Sequence, residues 1–293
     1  MMLLAIHSPQ GELGYLCLAA MIFYVLAAML HASSPLLAKS KLVSLSWGLM
    51  AGGCVCALLA WVWHGTESGA FAAGYAPLKS MYEVMLLMTW MIAPLAALFR
   101  WGLRLRGLWI DALLGAVLAF PTVFIFQSEP QQVVPALQTH LFIPHVIAYL
   151  IGYLIVFRSA IAAGEVVILG VRPPRTLGMR SAQEASRALL RLGFPLITLG
   201  MLLGSLWAQV RGDWWGWDAK EQWSLVTWLI LAAALHVPYT TLGKKFRRVM
   251  AIFVLLGAFT MIVTLFWSQI ASALTEAGWL AKQDSYHVYS TKK

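Results

Sequence analysis

Long apolar blocks alternate with short polar stretches from one end of this chain to the other. They cover residues 12–31, 42–64, 81–99, 108–127, 146–170, 188–208, 222–239 and 249–272. A helix needs roughly 20 apolar residues to cross a bilayer, because each residue advances it by only about 1.5 Å. The blocks lie near that length, so the pattern predicts an all-α polytopic membrane helix bundle of about eight transmembrane helices. Short connections make most of these helices antiparallel neighbours and leave no room for a folded soluble module. One integral membrane domain over residues 1–293 is expected.

Composition supports that reading. Hydrophobic residues make up 60% of the chain and charged residues 11%, whereas about a quarter of a soluble domain is charged. The net charge of +9 would suit a nucleic-acid surface, but its distribution points elsewhere. Basic residues follow alternate spans: Lys39 and Lys41, then Arg100, Arg104 and Arg106, then Arg172 to Arg191, then Lys244 to Arg248. Basic loops stay on the cytoplasmic side, so both termini are expected outside. The charge reads as topology, and no nucleic-acid partner is expected.

The loops expected on the outer face are the longer ones: residues 65–83, residues 127–145, and "WAQVRGDWWGWDAKEQW" at 207–223, followed by a polar tail after the last span. The inner segment "GVRPPRTLGMRSAQEASR" reads as a basic, proline-broken loop with a short surface helix. The first apolar block is too long for a signal-peptide core and has no basic stretch before it, so no cleavable signal is expected. Cys17, Cys54 and Cys56 all fall inside spans and read as small apolar side chains.

The tryptophan loop carries the chemistry. Asp218 followed by Glu221 is a capping-box spacing that would open the seventh helix, and single tryptophans commonly sit at membrane interfaces. Neither effect requires Trp214, Trp215 and Trp217 around Gly216, flanked by Trp207 and Trp223. Indole faces stack and indole N–H groups donate, while Gly212 and Gly216 allow a backbone to approach closely. Arg211 and Lys220 suit carboxylates at a ligand's rim. Of the seven histidines, His7, His64, His140, His145 and His287 sort to the outer face, and His31 and His236 to the inner ends of spans. His145 follows Pro144, which suits the first turn of a helix. His236 lies about 14 residues, or roughly 21 Å, down the seventh helix, so it cannot share a small ligand with His145. A flat anionic ligand on the outer face follows, and haem combines a metal that takes imidazole with a ring that takes aromatic walls.

"WGWDAKEQWSLVTWLILAAALH" resembles the tryptophan-rich signature of the CcsA family, the membrane haem-handling proteins of System II cytochrome c biogenesis. "YAPLKSMYEVMLLMTW" (75–90) and "LQTHLFIPHVIAYLIGYLIVF" (137–157) resemble two further segments of that family. The resemblance implies a haem-handling domain in a bacterial cytoplasmic membrane. It would take haem b from the cytoplasmic side and present it outside for attachment to the CxxCH motif of an apocytochrome c. His145 would be one outer axial ligand. His236 would be an intramembrane ligand whose partner histidine belongs to a CcsB-type subunit. Trp207, Trp214, Trp215, Trp217 and Asp218 would form the haem-facing surface. Arg211 stands where the family usually has a tryptophan. The family's second outer histidine usually follows the last helix closely; here His287, in "DSYHVYS", comes after a longer tail, with His64 and His140 as alternatives. Three rivals are weighed against this: a CcmC-like protein delivering haem to a chaperone, a cytochrome b-type electron carrier, and a solute transporter. The last would leave the tryptophan loop without a purpose.

Overall fold

The computed structural model describes residues 11–37, 40–126, 140–170, 172, 178–209, 212, 214–236 and 244–279. Arg211, His7 and His287 lie outside them. Every described regular element is helical: α1 (Gly11–Leu37), α2 (Ser40–Glu67), α3 (Met81–Ala97), α4 (Leu108–Phe124), α5 (Phe142–Leu169), α6 (Ala182–Gln209), α7 (Ala219–His236), α8 (Lys244–Leu265) and α9 (Trp267–Glu276). A π-helical turn, Leu98–Gly102, extends α3. A described helix occupies most of each expected apolar block, with 249–272 divided between α8 and α9 and with 108–127 and 222–239 running past the ends of α4 and α7. Six of the described helices are long and apolar enough to cross a membrane on length and composition; α4, at 17 residues, is shorter. The chain packs as two compact units, residues 1–138 and 139–293.

In the first unit α1 to α4 pack through small residues. Tyr24 on α1 is fully buried because Gly53 on α2 and Gly115 on α4 make room for it: a Cβ at Gly115 would stand 2.7 Å from its ring, and one at Gly53 3.1 Å. Its hydroxyl donates to the Thr89 carbonyl on α3 at 2.9 Å. One side chain thus joins four helices, with its polar tip satisfied as burial requires. Cys17 and Cys54 act as the sequence suggests, as small packing groups; Cys17 lies 3.3 Å from the Tyr82 hydroxyl and Cys54 contacts the Trp90 carbonyl.

The start of α3 explains His64. Ser80 caps the helix, and Glu83 closes a capping box by accepting from the Ser80 amide. The same carboxylate accepts from the Lys79 amide and holds His64 Nε2 of α2 at 3.0 Å. His64 and Glu83 are both buried, at 2% and 3% exposure. A buried pair is costly to break because one partner is stranded, typically about 3–5 kcal/mol. Glu83→Ala is therefore expected to open this corner, and Cys17, which packs beside it, should be alkylated about 100-fold faster. An unchanged Cys17 labelling rate would show that the pair does not fasten α2 to α3.

In the second unit α5 and α6 meet along glycines. Added Cβ atoms would stand 2.9 Å from Ile197 at Gly152, 2.8 Å from Val156 at Gly193, 2.8 Å from Tyr149 at Gly200 and 2.6 Å from His145 at Gly204. Small residues are what allow membrane helices to approach this closely. Helix α7 joins its neighbours by polar side chains: Thr227 donates to Thr260 on α8 at 2.9 Å and the Trp228 indole to Thr198 on α6 at 3.0 Å.

Two boundaries differ from expectation. The surface helix expected in the basic segment before residue 188 is the first turn of α6, which begins at Ala182 because Ser181 and Glu184 form reciprocal side-chain and backbone bonds. The last span stops at Leu265, where Phe266 turns out of helical geometry (φ −99°, ψ 13°) and α9 begins. Ser268, Gln269, Ser272, Thr275 and Glu276 give α9 a polar face, so it gains nothing by continuing an apolar span.

Candidate functional site

The site gathers at the end of the second unit where α5 and α7 begin and α6 finishes. His145 lies in the first turn of α5, with its amide bonded to the Leu141 carbonyl. Its Nδ1 is 2.7 Å from the Gly200 carbonyl on α6. A carbonyl only accepts, so Nδ1 carries a proton, and in the neutral ring the lone pair falls on Nε2. That is the tautomer a metal-ligating imidazole needs, with the carbonyl fixing its orientation. The ring is walled by Gly204 beneath it, by Trp207 at 5.9 Å and 29°, and by the edge of Tyr149 at 5.1 Å and 87°.

Trp207 belongs to the last turn of α6 and not to the loop that follows. It is 2% exposed and stands between His145 and Phe142, the latter ring 5.5 Å away. Tyr149 also neighbours Ser224 on α7, the helix that follows the loop.

The loop itself holds its aromatics outward. Trp214 and Trp217 are 56% and 65% exposed, and Trp215 and Trp217 meet edge to face at 6.2 Å. Asp218 accepts from the Glu221 amide at 2.9 Å and so starts α7. Trp217 adopts a left-handed backbone, φ 54°, where a bulky side chain is strained. Gln222 steadies it, donating to its carbonyl at 2.6 Å. Gly212 sits at φ 117° after bonding back to Gln209, so its glycine is needed by the turn. Nearby, Trp223 and Trp267 bring α7 and α9 together at 6.1 Å. Strain of this kind costs about 1–3 kcal/mol. Trp217→Gly is accordingly expected to raise thermal stability slightly while weakening ligand binding; a loss of both would show that the ring supports the fold.

The sequence-based site residues separate. His145, Trp207, Trp214, Trp215, Trp217 and Asp218 share one end of the second unit. His236 is 13 residues beyond Trp223, about 20 Å along α7; it is exposed, with Nδ1 against the Ala232 carbonyl. His64 belongs to the first unit, and His140 is exposed just ahead of α5. Sequence reasoning missed Tyr149, Gly200 and Gly204. The spacing Gly200-xxx-Gly204 and the i+4 step from His145 to Tyr149 were the available signals.

A family model described as "Cytochrome C assembly protein" matches residues 56–274, a range that includes His145, the tryptophan loop and His236. The chain belongs to this cytochrome c assembly family. Among its relatives, the "Cytochrome c biogenesis protein CcsA" of Synechococcus sp. (strain JA-3-3Ab) is 29% identical over 76% of this chain and 81% of its own length. The protein of the same name from Pyropia yezoensis is 30% identical over 72% and 81%. That of Chlamydomonas reinhardtii is 30% identical over 57% and 51%. A solved structure titled "Cytochrome c Heme Lyase CcmF" superposes with a TM-score of 0.61 at 18% identity. It covers 93% of this chain, which spans about half, 51%, of that larger protein. That likeness establishes a shared helical fold.

Proposed function

We propose that this chain binds haem b at the tryptophan-loop end of its second unit and presents it there for covalent attachment to apocytochrome c. The carrying observation is His145, oriented through Nδ1 by the Gly200 carbonyl and set beside a loop with two largely exposed tryptophans. The residues fit a porphyrin. The Trp215 indole N–H is buried without an acceptor, as suits a donor awaiting a carboxylate, and exposed indoles supply a stacking face. Family membership supports the same reading.

On this reading residues 1–293 act as one haem-handling domain, with eight spans and both termini outside a bacterial cytoplasmic membrane. The basic inner loops support that topology. His145 would supply one imidazole to the haem iron. His64 is committed to Glu83, which favours His287 or His140 as the second. His236 serves a separate inner site, completed by a histidine of a CcsB-type partner. Arg211 meets the ligand's anionic rim. Haem brings the vinyl groups to which cysteine thiols add; the chain holds the ring, fixes its face and keeps its edge accessible.

The test is a bacterial strain lacking this chain but supplied with a CcsB-type partner and a reporter apocytochrome. Restoring the wild-type chain should restore covalently haem-stained reporter. Trp214→Ala with Trp217→Ala should lower the yield about tenfold, the expected weight of two aromatic contacts. Haem bound by the chain without any stained reporter would instead favour delivery to a chaperone.

A further inference from the structure

The far end of α5 carries a feature that the haem reading does not use. From Ala148 to Ala160 every residue of this helix is buried or half-buried among its neighbours. Over the next two turns one side comes free. Ile161, Gly164, Glu165 and Ile168 follow at the i, i+3, i+4 and i+7 steps that share a helix face. Ile161 and Ile168 are 38% and 80% exposed, and Glu165 between them is exposed as well. A Cβ added at Gly164 would meet nothing within 4 Å, so the backbone itself is open to close approach. An apolar stripe on a membrane helix needs only lipid against it. A carboxylate in that stripe needs something more.

Glu165 lies within the apolar surface and not past its edge. Ile168 and Leu169 stand nearer the helix end, and both are exposed, Leu169 by 44%. Among the described residues no ion pair or hydrogen bond reaches the Glu165 carboxylate. Arg172, the next described cation along the chain, donates to the Leu169 carbonyl. The missing counter-charge has few sources. Headgroup phosphates carry the same sign as Glu165. A second copy of this chain meeting through the same face would set Glu165 against Glu165. We propose that Ile161, Gly164, Glu165 and Ile168 form a docking stripe for a transmembrane helix of a different protein, one that carries a lysine or arginine at the depth of Glu165. The isoleucines supply packing area, Gly164 lets the helices close together, and the ion pair sets their register.

The full chain is reconstituted in phosphatidylcholine vesicles with a transmembrane peptide of about 20 leucines and alanines. One lysine stands about four residues from the peptide's end, the depth of Glu165 in α5. Association is read from energy transfer between fluorophores on peptide and chain. The lysine peptide should bind about tenfold more tightly than an all-leucine version, the weight of one polar contact between membrane helices. Glu165→Gln should remove that preference, and Gly164→Leu should weaken both peptides about threefold. Glu67→Gln, which neutralises an exposed acid at the end of α2, should leave the preference within threefold. In the host membrane, a photoreactive residue in place of Ile168 should cross-link to a second membrane protein, and Glu165→Lys should abolish that cross-link. Equal binding of the two peptides, a Glu67 effect as large as that of Glu165, or cross-linking only to lipid or to another copy of the chain would overturn the proposal. None of these readouts depends on haem, so this stripe and the proposed function fail separately.

Discussion

His145→Ala is expected to remove the haem absorbance of the purified protein. Losing only the group that orients a metal-bound histidine commonly lowers affinity about 10- to 100-fold; losing the ligand itself should exceed the upper figure. The geometry adds a sharper expectation. The ring occupies a slot between Trp207, Tyr149 and the bare backbone of Gly204. Deleting it as His145→Gly leaves a slot of imidazole shape with the Gly200 carbonyl at its base. Free imidazole should therefore restore the spectrum of the glycine variant, with its Nδ1 counterpart donating to that carbonyl. His236→Ala, about 20 Å away along α7, should leave this spectrum intact when no partner subunit is present. Should imidazole fail to restore the spectrum, or His236→Ala abolish it, the assignment of His145 would be wrong.

The second large effect is expected at a residue with no side chain. Gly204→Ala would place a methyl group 2.6 Å from Cε1 and 2.8 Å from Nδ1 of His145, separations that force the imidazole to move. Its bond to the Gly200 carbonyl would stretch and its aim would change. Gly193→Ala provides the matched comparison. It overpacks the same helix pair against Val156 at 2.8 Å and Ile155 at 3.2 Å, two turns and more from the histidine. Both substitutions should cost stability by a similar amount, about 1–3 kcal/mol. Only Gly204→Ala should also weaken haem binding, by about 10- to 100-fold, with Gly193→Ala remaining within threefold. Parallel haem titrations and thermal melts separate the two contributions. An equal loss of haem in both variants would assign the effect to helix packing and remove any special role for Gly204.

The long apolar helices were legible in the sequence because a bilayer imposes one length and one composition on anything that crosses it, and six of the described helices meet both. Several helix starts were legible too. Asp218 caps α7 as its spacing suggested, and Pro144 places His145 in a first turn. What was not legible depends on pairs distant in sequence. Glu83 reaches 19 residues back to His64, which turns an outer-face ligand alternative into a buried structural partner. Trp207 looks like the first member of the aromatic loop, but the chain is still helical there, and its ring packs inward on α5. The glycines of α6 carry no chemistry of their own. Their role appears only when His145, Tyr149 and Val156 are seen against them. The position of His287 lies outside the described residues, so the second outer imidazole rests on the sequence alone.

The measurement that bears most directly on the central claim is an optical haem titration of the purified wild-type chain, in detergent and without partners. A saturable Soret band with imidazole-ligated character, lost in His145→Ala and weakened when Trp214 and Trp217 are both replaced by alanine, is the predicted result. A chain that stays colourless with haem in excess, or one that takes up haem equally well without His145, would contradict it.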